Sequence, residues 1–320
     1  IIDNLNNFDE VISLHLSKEI KFLEKILDII VSIFSEDNRH KIIPIVSYDE
    51  RFWYYLEYTI LNPGNYLKEK LWSKLDIAIL TSATLQVNSS FSYIKSMLSL
   101  DDFDFKEFKT DFDYKKQSLL YIPNDLWSIK WSFLKTWNFI KDFITNVWWN
   151  MLVLFTSFYL IKELYLFINS DLKKLWINIY SQWIMWWKYK LIDSFKKSPD
   201  NSILIWTDSF WEWIDIPWED LKYLIIHKIP FMVPSDPIFQ ARSVIFKDSF
   251  NDYSIPKSVI KLKQWFWRLI RKKDDTGIVV FLDDRIIKSS WWKSFYWAFP
   301  NDINIKIWTS WNFLNLFNKK

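Results

Sequence analysis

The stretch WWNMLVLFTSFYLI, residues 148 to 161, decides how the rest of the sequence is interpreted. It is the longest apolar stretch of the chain, about 14 residues, and it contains Asn150. A membrane-spanning helix needs about 20 apolar residues, so this stretch is too short to cross a bilayer. It instead predicts a buried strand that runs into a helix, with Thr156 and Ser157 at the junction.

Strand-like and helical patterns alternate on both sides of this stretch. Such alternation favours an α/β fold with a mainly parallel sheet. The opening region lacks this regular alternation. Residues 9–35 have helical periodicity. A turn is expected at Asn62-Pro63-Gly64, and LDIAILTSATL, 75–85, predicts a buried strand. The downstream strand-like runs are SLLYI, MLVLF, SILI, YLII and GIVVFL, and the helical patterns fall at 131–146, 158–168, 184–196, 237–248 and 256–270.

Polar segments follow several of these strands directly. TSAT follows IAIL, TS follows LVLF, and TDSFWEWID follows ILI. In parallel α/β sheets, ligands bind at the carboxyl ends of the strands. The sequence therefore predicts a working cleft at that edge.

Composition excludes several classes of protein. The chain has 320 residues, a net charge of +3 and no cysteine, so it holds no disulfide, zinc-thiolate site or thiolate-bound iron–sulfur cluster. The three histidines, His15, His40 and His227, are far apart, and we expect no histidine-based metal site within this chain. The first residues lack the basic start and apolar run of a signal peptide, so a cytoplasmic location without membrane contact is expected.

Glycine and tryptophan occur in abnormal numbers. Average usage would give roughly 22 glycines, whereas the sequence has 2 Gly and 22 Trp. Many tryptophans stand at the ends of predicted strands and in turns, where glycine is common. Examples are Trp148 and Trp149 before a strand, Trp206 after one, and Trp218 after a proline. We infer that most are glycines in the organism, through a genetic code that reads UGA as glycine. The alternative is a truly tryptophan-rich protein.

The stretch QWFWRLIR, residues 264–271, carries the clearest chemistry. On a helix, Arg268 and Arg271 would lie on one face, about a turn apart. Two guanidinium groups so placed can stabilise the charge on a transferring phosphoryl group. Trp265 and Trp267 would hold this backbone away from a facing ligand, whereas glycine would let it approach. A basic helix face on the surface is the simpler alternative.

With glycine restored at the suspect positions, 206–221 reads GTDSFWEGIDIPGEDL and 264–271 reads QGFGRLIR. Together with ILTSATL, LVLFTSF and PFMVPSDPIFQAR, these motifs resemble the DinG/XPD-type branch of superfamily 2 helicases, from about residue 1 to residue 300. The family itself has a tryptophan in SFWEG, so Trp211 is interpreted as genuine. The resemblance implies RecA-like domains with a parallel sheet and flanking helices.

The resemblance also implies a role for each motif. Gln264 would help hold the nucleotide, and Arg268 and Arg271 would be arginine fingers. The remaining assignments are nucleotide and magnesium binding by Asp3, Glu212 and Asp215, coupling of nucleotide state to domain movement by Ser82, Ala83 and Thr84, and nucleic-acid binding by Thr156, Ser157, Thr207, Ser209 and Phe210. Taken alone, the Thr156-Ser157 pair is more typical of a cap for the helix that follows it.

Two departures from the family pattern concern hydrolysis. Where the family has an Asp-Glu-Ala-His-like box, Asp3 is kept, but Asn4 takes the glutamate position and Asn6 the histidine position. An amide cannot act as a general base. The phosphate-cradling pattern GxxxxGK[ST] is also absent, and the WKS at 292–294 lies too late in the chain to replace it.

The chain is therefore interpreted as the carboxyl-terminal part of a helicase. Residues 1–115 would form a partial first RecA-like domain with a helical insertion at about 9–70, and residues 116–320 a second RecA-like domain. In the family, iron–sulfur cysteines lie upstream of the Asp3 box, so whether the complete protein holds a cluster is open.

The expected function is ATP-dependent translocation on single-stranded DNA, five-prime to three-prime, with duplex unwinding. ATP and Mg²⁺ are the expected cofactors, and single-stranded DNA and an amino-terminal helicase portion the expected partners; alone, this chain should be inactive. One alternative is a non-catalytic nucleic-acid-binding or regulatory remnant. Another is an aromatic-rich binding module, which would need exposed, aligned tryptophans.

Overall fold

The computed structural model describes residues 42–49, 53–108, 110–126, 133–147, 150–184, 188–198, 201–207 and 221–317, with isolated helical positions between 16 and 31. Its contacts divide the chain into two compact units. The hairpin unit comprises the described residues of 1–80, 94–103 and 232–250, and the sheet unit those of 81–93, 104–231 and 251–320.

Strands and helices alternate through most of the sheet unit. In chain order, the elements of both units are β1 Ile42–Asp49, β2 Trp53–Ile60, α1 Pro63–Lys70, α2 Ser92–Leu98, α3 Tyr114–Gln117, β3 Ser118–Pro123, α4 Phe133–Asn146, β4 Asn150–Phe155, α5 Phe158–Lys174, β5 Asn178–Ser181, α6 Lys188–Lys197, β6 Ser202–Thr207, β7 Leu221–Ile226, α7 Pro237–Ser243, α8 Ile255–Phe266, β8 Gly277–Phe281, α9 Arg285–Lys288, α10 Trp292–Tyr296, β9 Asn304–Trp308 and α11 Ser310–Leu314.

The sheet unit is built on seven parallel strands in the order β5-β6-β4-β7-β8-β3-β9. Strands β4 and β6, MLVLF and SILI with their flanking residues, are buried at every position. A strand with helices on both faces has no solvent side, which explains why these runs are continuously apolar instead of alternating.

Successive residues of β4 point to opposite faces of the sheet. Leu152 and Leu154 join the apolar cluster that α8 covers, through Val259 and Leu262. Met151, Val153 and Phe155 join the second cluster, which α4 and α5 cover. Each fully buried side chain of this kind contributes about 1.5–3 kcal/mol of transfer free energy to folding. Burial against helices on both faces therefore stabilises the sheet.

The hairpin unit contains a two-stranded antiparallel ribbon. Strands β1 and β2 pair over their whole length, from Ile42 opposite Ile60 to Asp49 opposite Trp53. The Arg242 guanidinium of α7 donates to the backbone oxygen of Ile60 at 2.9 Å. Across the described part of the chain, no helix is both long and apolar enough to cross a membrane.

The α/β fold class is confirmed, and so are all five downstream strands. The helices begin close to the expected positions, although α7 ends at Ser243 instead of 248 and α8 at Phe266 instead of 270. Sequence reasoning missed β5 and β9, the two edge strands of the sheet, and it missed the β1–β2 hairpin. Edge strands are short and bury only part of their side chains, so their apolar signal is weak.

Two expectations for the opening region are wrong. Residues 75–85 do not form a buried strand: Ile77 and Ile79 are 80% and 87% exposed, and the segment makes no β-ladder with any described residue. An apolar run becomes a strand only where neighbouring strands accept its backbone hydrogen bonds. Asn62-Pro63-Gly64 is also not a free turn, since Asn62 caps α1 by accepting from the Asn65 amide.

The proposed domain boundary near residue 115 stays a prediction. The two compact units do not follow it, because 104–115 belongs to the sheet unit and 232–250 to the hairpin unit.

Two described tryptophans, Trp53 and Trp176, have the left-handed backbone that favours glycine, and Trp176 shows the reason most clearly. Trp176 follows α5 with φ 59° and is almost fully exposed. The amide of Ile177 donates to the Leu172 oxygen at 3.0 Å, and the amide of Trp176 donates to the Lys173 oxygen at 3.2 Å. These two bonds define a Schellman helix end, whose left-handed residue is usually glycine. The backbone at 176 therefore favours the recoding hypothesis at this position.

Candidate nucleotide and nucleic-acid site

The carboxyl edge of the parallel sheet brings two predicted hydroxyl motifs together. Strands β4 and β6 are neighbours, and Phe155 pairs in register with Thr207. Thr156, which directly follows β4, therefore lies at the same edge as Thr207, although 51 positions separate them in the sequence.

The hydroxyl groups at this edge differ in what they already bind. Ser157 is the N-cap residue of α5, with extended backbone angles, yet its hydroxyl makes no capping hydrogen bond to a described residue. The capping role that residues 156 and 157 could have had is thus not used. The Thr207 hydroxyl is committed, because it donates to the Gln182 side-chain oxygen at 2.9 Å. Ser157 is consequently the better candidate to meet a ligand.

The two arginines do not share a helical face, and the sequence-based expectation on this point is wrong. Helix α8 ends at Phe266 and carries only Gln264, which is exposed, while Arg268 lies in the turn that follows and Arg271 beyond it. After the helix end the backbone tightens into a turn, in which the Arg268 amide donates to the Trp265 oxygen at 3.3 Å and the Leu269 amide to the Phe266 oxygen at 2.9 Å. Leu269 and Ile270 are 3% and 1% exposed. Residues 268–271 are called the arginine segment below.

Both tryptophans of QWFWRLIR pack towards the sheet unit's core. Trp265 is 2% exposed within the apolar cluster on that face of the sheet. Trp267 stacks edge-on against Tyr114 at 5.2 Å, and its indole nitrogen is buried without a hydrogen bond to any described residue. Both indoles thus pack against the core, Trp267 with part of its surface exposed, and the expectation that they hold the backbone away from a ligand stays a prediction.

The coupling motif lies next to α8 within the sheet unit. Ser82 and Thr84 close a small turn, in which the Thr84 amide donates to the Ser82 hydroxyl oxygen at 3.2 Å, and Ala83 is exposed between them. Two residues later, the Gln86 backbone oxygen accepts from the Lys263 ammonium at 2.8 Å. Burial lowers the pKa of Lys263, against the opposing charge of Glu107. Lys263 thus joins α8 to the segment that follows Thr84.

Sequence reasoning missed an ionic group at the carboxyl edge, after β8. Asp283 is fully buried and accepts from the Arg285 guanidinium at 2.6 and 2.8 Å and from the Ile229 amide at 3.0 Å. The hydrogen bonds to Asp283 raise the pKa of Arg285. Two acidic residues and an arginine directly after a predicted strand were the available signal.

His227 also lies at this edge, at the end of β7. Its ring packs against Trp137 and Phe155 at centroid distances of 5.5 and 4.9 Å. Burial lowers the pKa of His227 to about 3, and the neighbouring Lys228 adds to the shift. The imidazole is therefore neutral at physiological pH and is a core residue.

Several predicted site residues lie outside the described residues. They are Asp3, Ser209, Phe210, Glu212 and Asp215, together with Asn4 and Asn6. Among the residues that are described, no three His, Asp or Glu side chains form a group that could hold a metal ion.

The sheet unit thus has hydroxyl groups at the carboxyl edge of its parallel sheet and two arginines after the helix α8 that covers it. Residues 140–302 match the family described as helicase C-terminal domain, a range that contains Thr156, Thr207 and the arginine segment. The chain belongs to this family, in the DinG/XPD-type branch of superfamily 2 helicases, and represents the carboxyl-terminal portion.

Individual proteins show the same relation. The chain is 31% identical to the ATP-dependent DNA helicase YoaA of Haemophilus influenzae, over 93% of this chain and 48% of that protein. It is 29% identical to the 3'-5' exonuclease DinG of Bacillus subtilis, over 75% of this chain and 27% of that protein. The chain thus spans about half the length of these curated relatives or less.

A solved structure supports the fold. The XPD helicase structure superposes with a TM-score of 0.55 at 18% identity, over 86% of this chain and 49% of that one. At this level of identity the likeness concerns the RecA-like architecture alone.

Proposed function

We propose that this chain is the carboxyl-terminal motor part of an ATP-dependent DNA helicase that translocates on single-stranded DNA from five-prime to three-prime and unwinds duplexes. The observation that carries the proposal is the arginine segment. It lies within a matched helicase C-terminal domain and follows α8, whose Lys263 bonds Gln86, two residues after the coupling residue Thr84.

The two arginines are proposed to act on the outer phosphate of ATP. A guanidinium group offers several N–H donors in a fixed plane and stays charged at all relevant pH values. Charge that builds up on the transferring phosphoryl group is stabilised by such a group, an effect of about 10³–10⁵ in kcat in related chemistry. Gln264, exposed on the last turn of α8, is proposed to contact the nucleotide beside them.

The edge hydroxyls are proposed to hold the DNA backbone. Thr156 and Ser157 are partly exposed and stand at the start of α5, where helix-end amides also favour a phosphate. Contacts of this kind position a strand without reading its bases. Sequence-independent binding suits a motor that must pass along any sequence.

This chain has only some of the groups that bind and hydrolyse a nucleotide in the family. Its arginines suit the outer phosphates, but it has no GxxxxGK[ST] loop to cradle them, and an amide stands where the family has the glutamate that activates water. ATP hydrolysis would supply the energy for movement. We propose that an amino-terminal helicase portion supplies the cradle, with Mg²⁺ held between that portion and Asp3, Glu212 and Asp215.

The exposure of the segment 75–80 supports the proposal that an amino-terminal helicase portion binds this chain. Leu75, Ile77, Ile79 and Leu80 are all exposed, although the sequence has the composition of a buried strand. Contiguous apolar exposure of this kind marks an interaction surface. We propose that strands of the amino-terminal portion pair with this segment.

Arg268→Ala and Arg271→Ala test the proposal in the full-length protein reconstituted with its amino-terminal portion. Each should lower the kcat of DNA-stimulated ATP hydrolysis by about 10³-fold, while the dissociation constant for single-stranded DNA is unchanged. Lys190→Ala, which removes an exposed charge on α6, is the control. Loss of DNA binding with kcat intact would contradict the finger role.

The isolated chain should show no ATPase activity with single-stranded DNA present. The reconstituted protein separates this proposal from a non-catalytic binding remnant: it should hydrolyse ATP and unwind a duplex with a five-prime tail in preference to one with a three-prime tail. A reconstituted protein that binds single-stranded DNA but hydrolyses no ATP would establish the remnant instead.

A further inference from the structure

The backbone around Arg271 is held by two side chains that neither the motifs nor the family match single out. We propose that Asp275 and Gln117 form a clamp that sets the position of Arg271, so that both are positioning residues for ATP hydrolysis. This inference rests on the proposed function and adds two residues to its machinery.

Asp275 holds the start of the turn. One of its carboxylate oxygens accepts from the amides of Arg271 and Lys272, each at 2.7 Å. Hydrogen bonds to an ionised acceptor are shorter and about twice as strong as neutral ones. The Asp275 amide in turn donates to the Lys272 oxygen at 3.2 Å, which closes the turn on itself. The peptide on the amino-terminal side of Arg271 is thereby fixed.

Gln117 holds the carbonyl side of the same turn. Its side-chain nitrogen donates to the backbone oxygens of Lys272, Lys273 and Asp275 at 3.1, 3.0 and 3.0 Å. The amide group has only two N–H donors, so one of them is shared. Gln117 is buried and immediately precedes β3. The turn is thus tied to a strand near the edge of the parallel sheet.

The inner side of the arginine segment is fixed by packing. Leu269 lies against Gly277, where an added Cβ would come within 2.5 Å of the leucine side chain. Gly277 therefore leaves the room that lets Leu269 enter the core beside β8. The backbone of Arg271 is therefore restrained on both sides, by this contact and by the turn.

Such restraint matters for a charged group that must meet a transition state. Catalytic groups work within about 0.5 Å of their productive position, and a displacement of about 1 Å can cost about 10²-fold in rate. Residues 271–274 are exposed, so core packing does not hold this turn. The five hydrogen bonds from Asp275 and Gln117 provide the restraint instead.

Asp275→Ala and Asp275→Asn distinguish positioning from mere stability. In the full-length reconstituted protein, Asp275→Ala should lower kcat by about 10- to 100-fold, with the KM for ATP and the affinity for single-stranded DNA unchanged. Asp275→Asn keeps an oxygen that accepts both amides and should restore most of kcat. Asp274→Ala, an exposed neighbour, should match the wild type. An Asn variant as slow as the Ala variant would overturn the clamp.

Gln117→Met provides the second test if Asp275→Ala does not fold. Methionine keeps the volume and removes the donor, and it should lower kcat as Asp275→Ala does. In the isolated chain, hydrogen exchange at the Arg271 and Lys272 amides should accelerate in Asp275→Ala and stay slow in Asp275→Asn; unchanged exchange in the Ala variant overturns the inference.

The parallel Arg271→Ala measurement separates the two proposals. If Arg271→Ala lowers kcat but Asp275→Ala and Gln117→Met do not, the clamp is wrong and the proposed function stands. If Arg271→Ala itself leaves kcat unchanged, the proposed function is wrong, and the clamp falls with it.

Discussion

Strand β6 in the sheet unit and the segment 75–80 in the hairpin unit have similar apolar sequences, but β6 is buried and the segment 75–80 is exposed. SILIWT is buried at every position between β5 and β4, whereas LDIAIL exposes Ile77 and Ile79 almost fully. Both runs have the apolar composition that predicts a strand. The difference teaches that an apolar pattern states what a segment can bury, and that neighbouring strands decide whether it does so.

The largest effect expected from this comparison is on stability. Leu204→Ala in β6 should lower the free energy of unfolding by about 2–5 kcal/mol, since it leaves a cavity at a fully buried position. Ile79→Ala should change it by no more than about 0.5 kcal/mol. Urea titration of the isolated chain measures both. A comparable cost for Ile79→Ala would show that 75–80 is buried in the chain by itself.

A second test uses the neutral histidine buried at the carboxyl edge of the sheet unit. Because the pKa of His227 is lowered to about 3 in the folded protein, only the unfolded chain takes up this proton as pH falls below about 6.5. Stability from this group is therefore complete above pH 6.5 and is lost at up to about 1.4 kcal/mol per pH unit on acidification.

Unfolding titrations between neutral pH and pH 5 in wild type and His227→Phe isolate this contribution, because the other titrating groups are common to both proteins. The wild type should lose stability more steeply than His227→Phe. Parallel curves would show that the His227 ring is open to solvent and that this edge is less closed than the packing of Trp137 and Phe155 indicates.

The smallest expected effect is the change in stability when glycine replaces an exposed tryptophan at a helix end, compared with the same replacement inside a helix. Trp176→Gly should stabilise the chain by about 1 kcal/mol, because glycine adopts the left-handed conformation at the end of α5 without the strain that a side chain causes there. Trp311→Gly is the matched control: Trp311 is also exposed, 71% against 88% for Trp176, but it lies inside α11, where glycine should cost about 0.5–1 kcal/mol. Thermal unfolding compares the two, and equal shifts would remove the argument from helix-end geometry.

The candidate site was only partly predictable. The motifs identified the arginine segment and the edge hydroxyls, because chemistry at a strand end or after a helix is local in sequence. Nothing in the sequence pointed to Gln117, whose partners lie 155 to 158 positions away. The Lys263–Gln86 bond likewise spans 177 positions. Hydrogen bonds between distant segments leave no periodic signal, so they were invisible before the fold was known.

By itself, the sequence determined the α/β class, the five central strands and the hydroxyl residues that stand at the carboxyl ends of two of them. Those features follow from apolar periodicity and residue type, which act over a few neighbouring positions. Only the tertiary structure decided that α8 ends at Phe266, that Trp265 packs inward, and that Asp275 and Gln117 bond the backbone of the turn at 271–275. Each of these outcomes depends on competition for core volume or for a distant hydrogen-bond partner, and such competition exists only once the chain has folded.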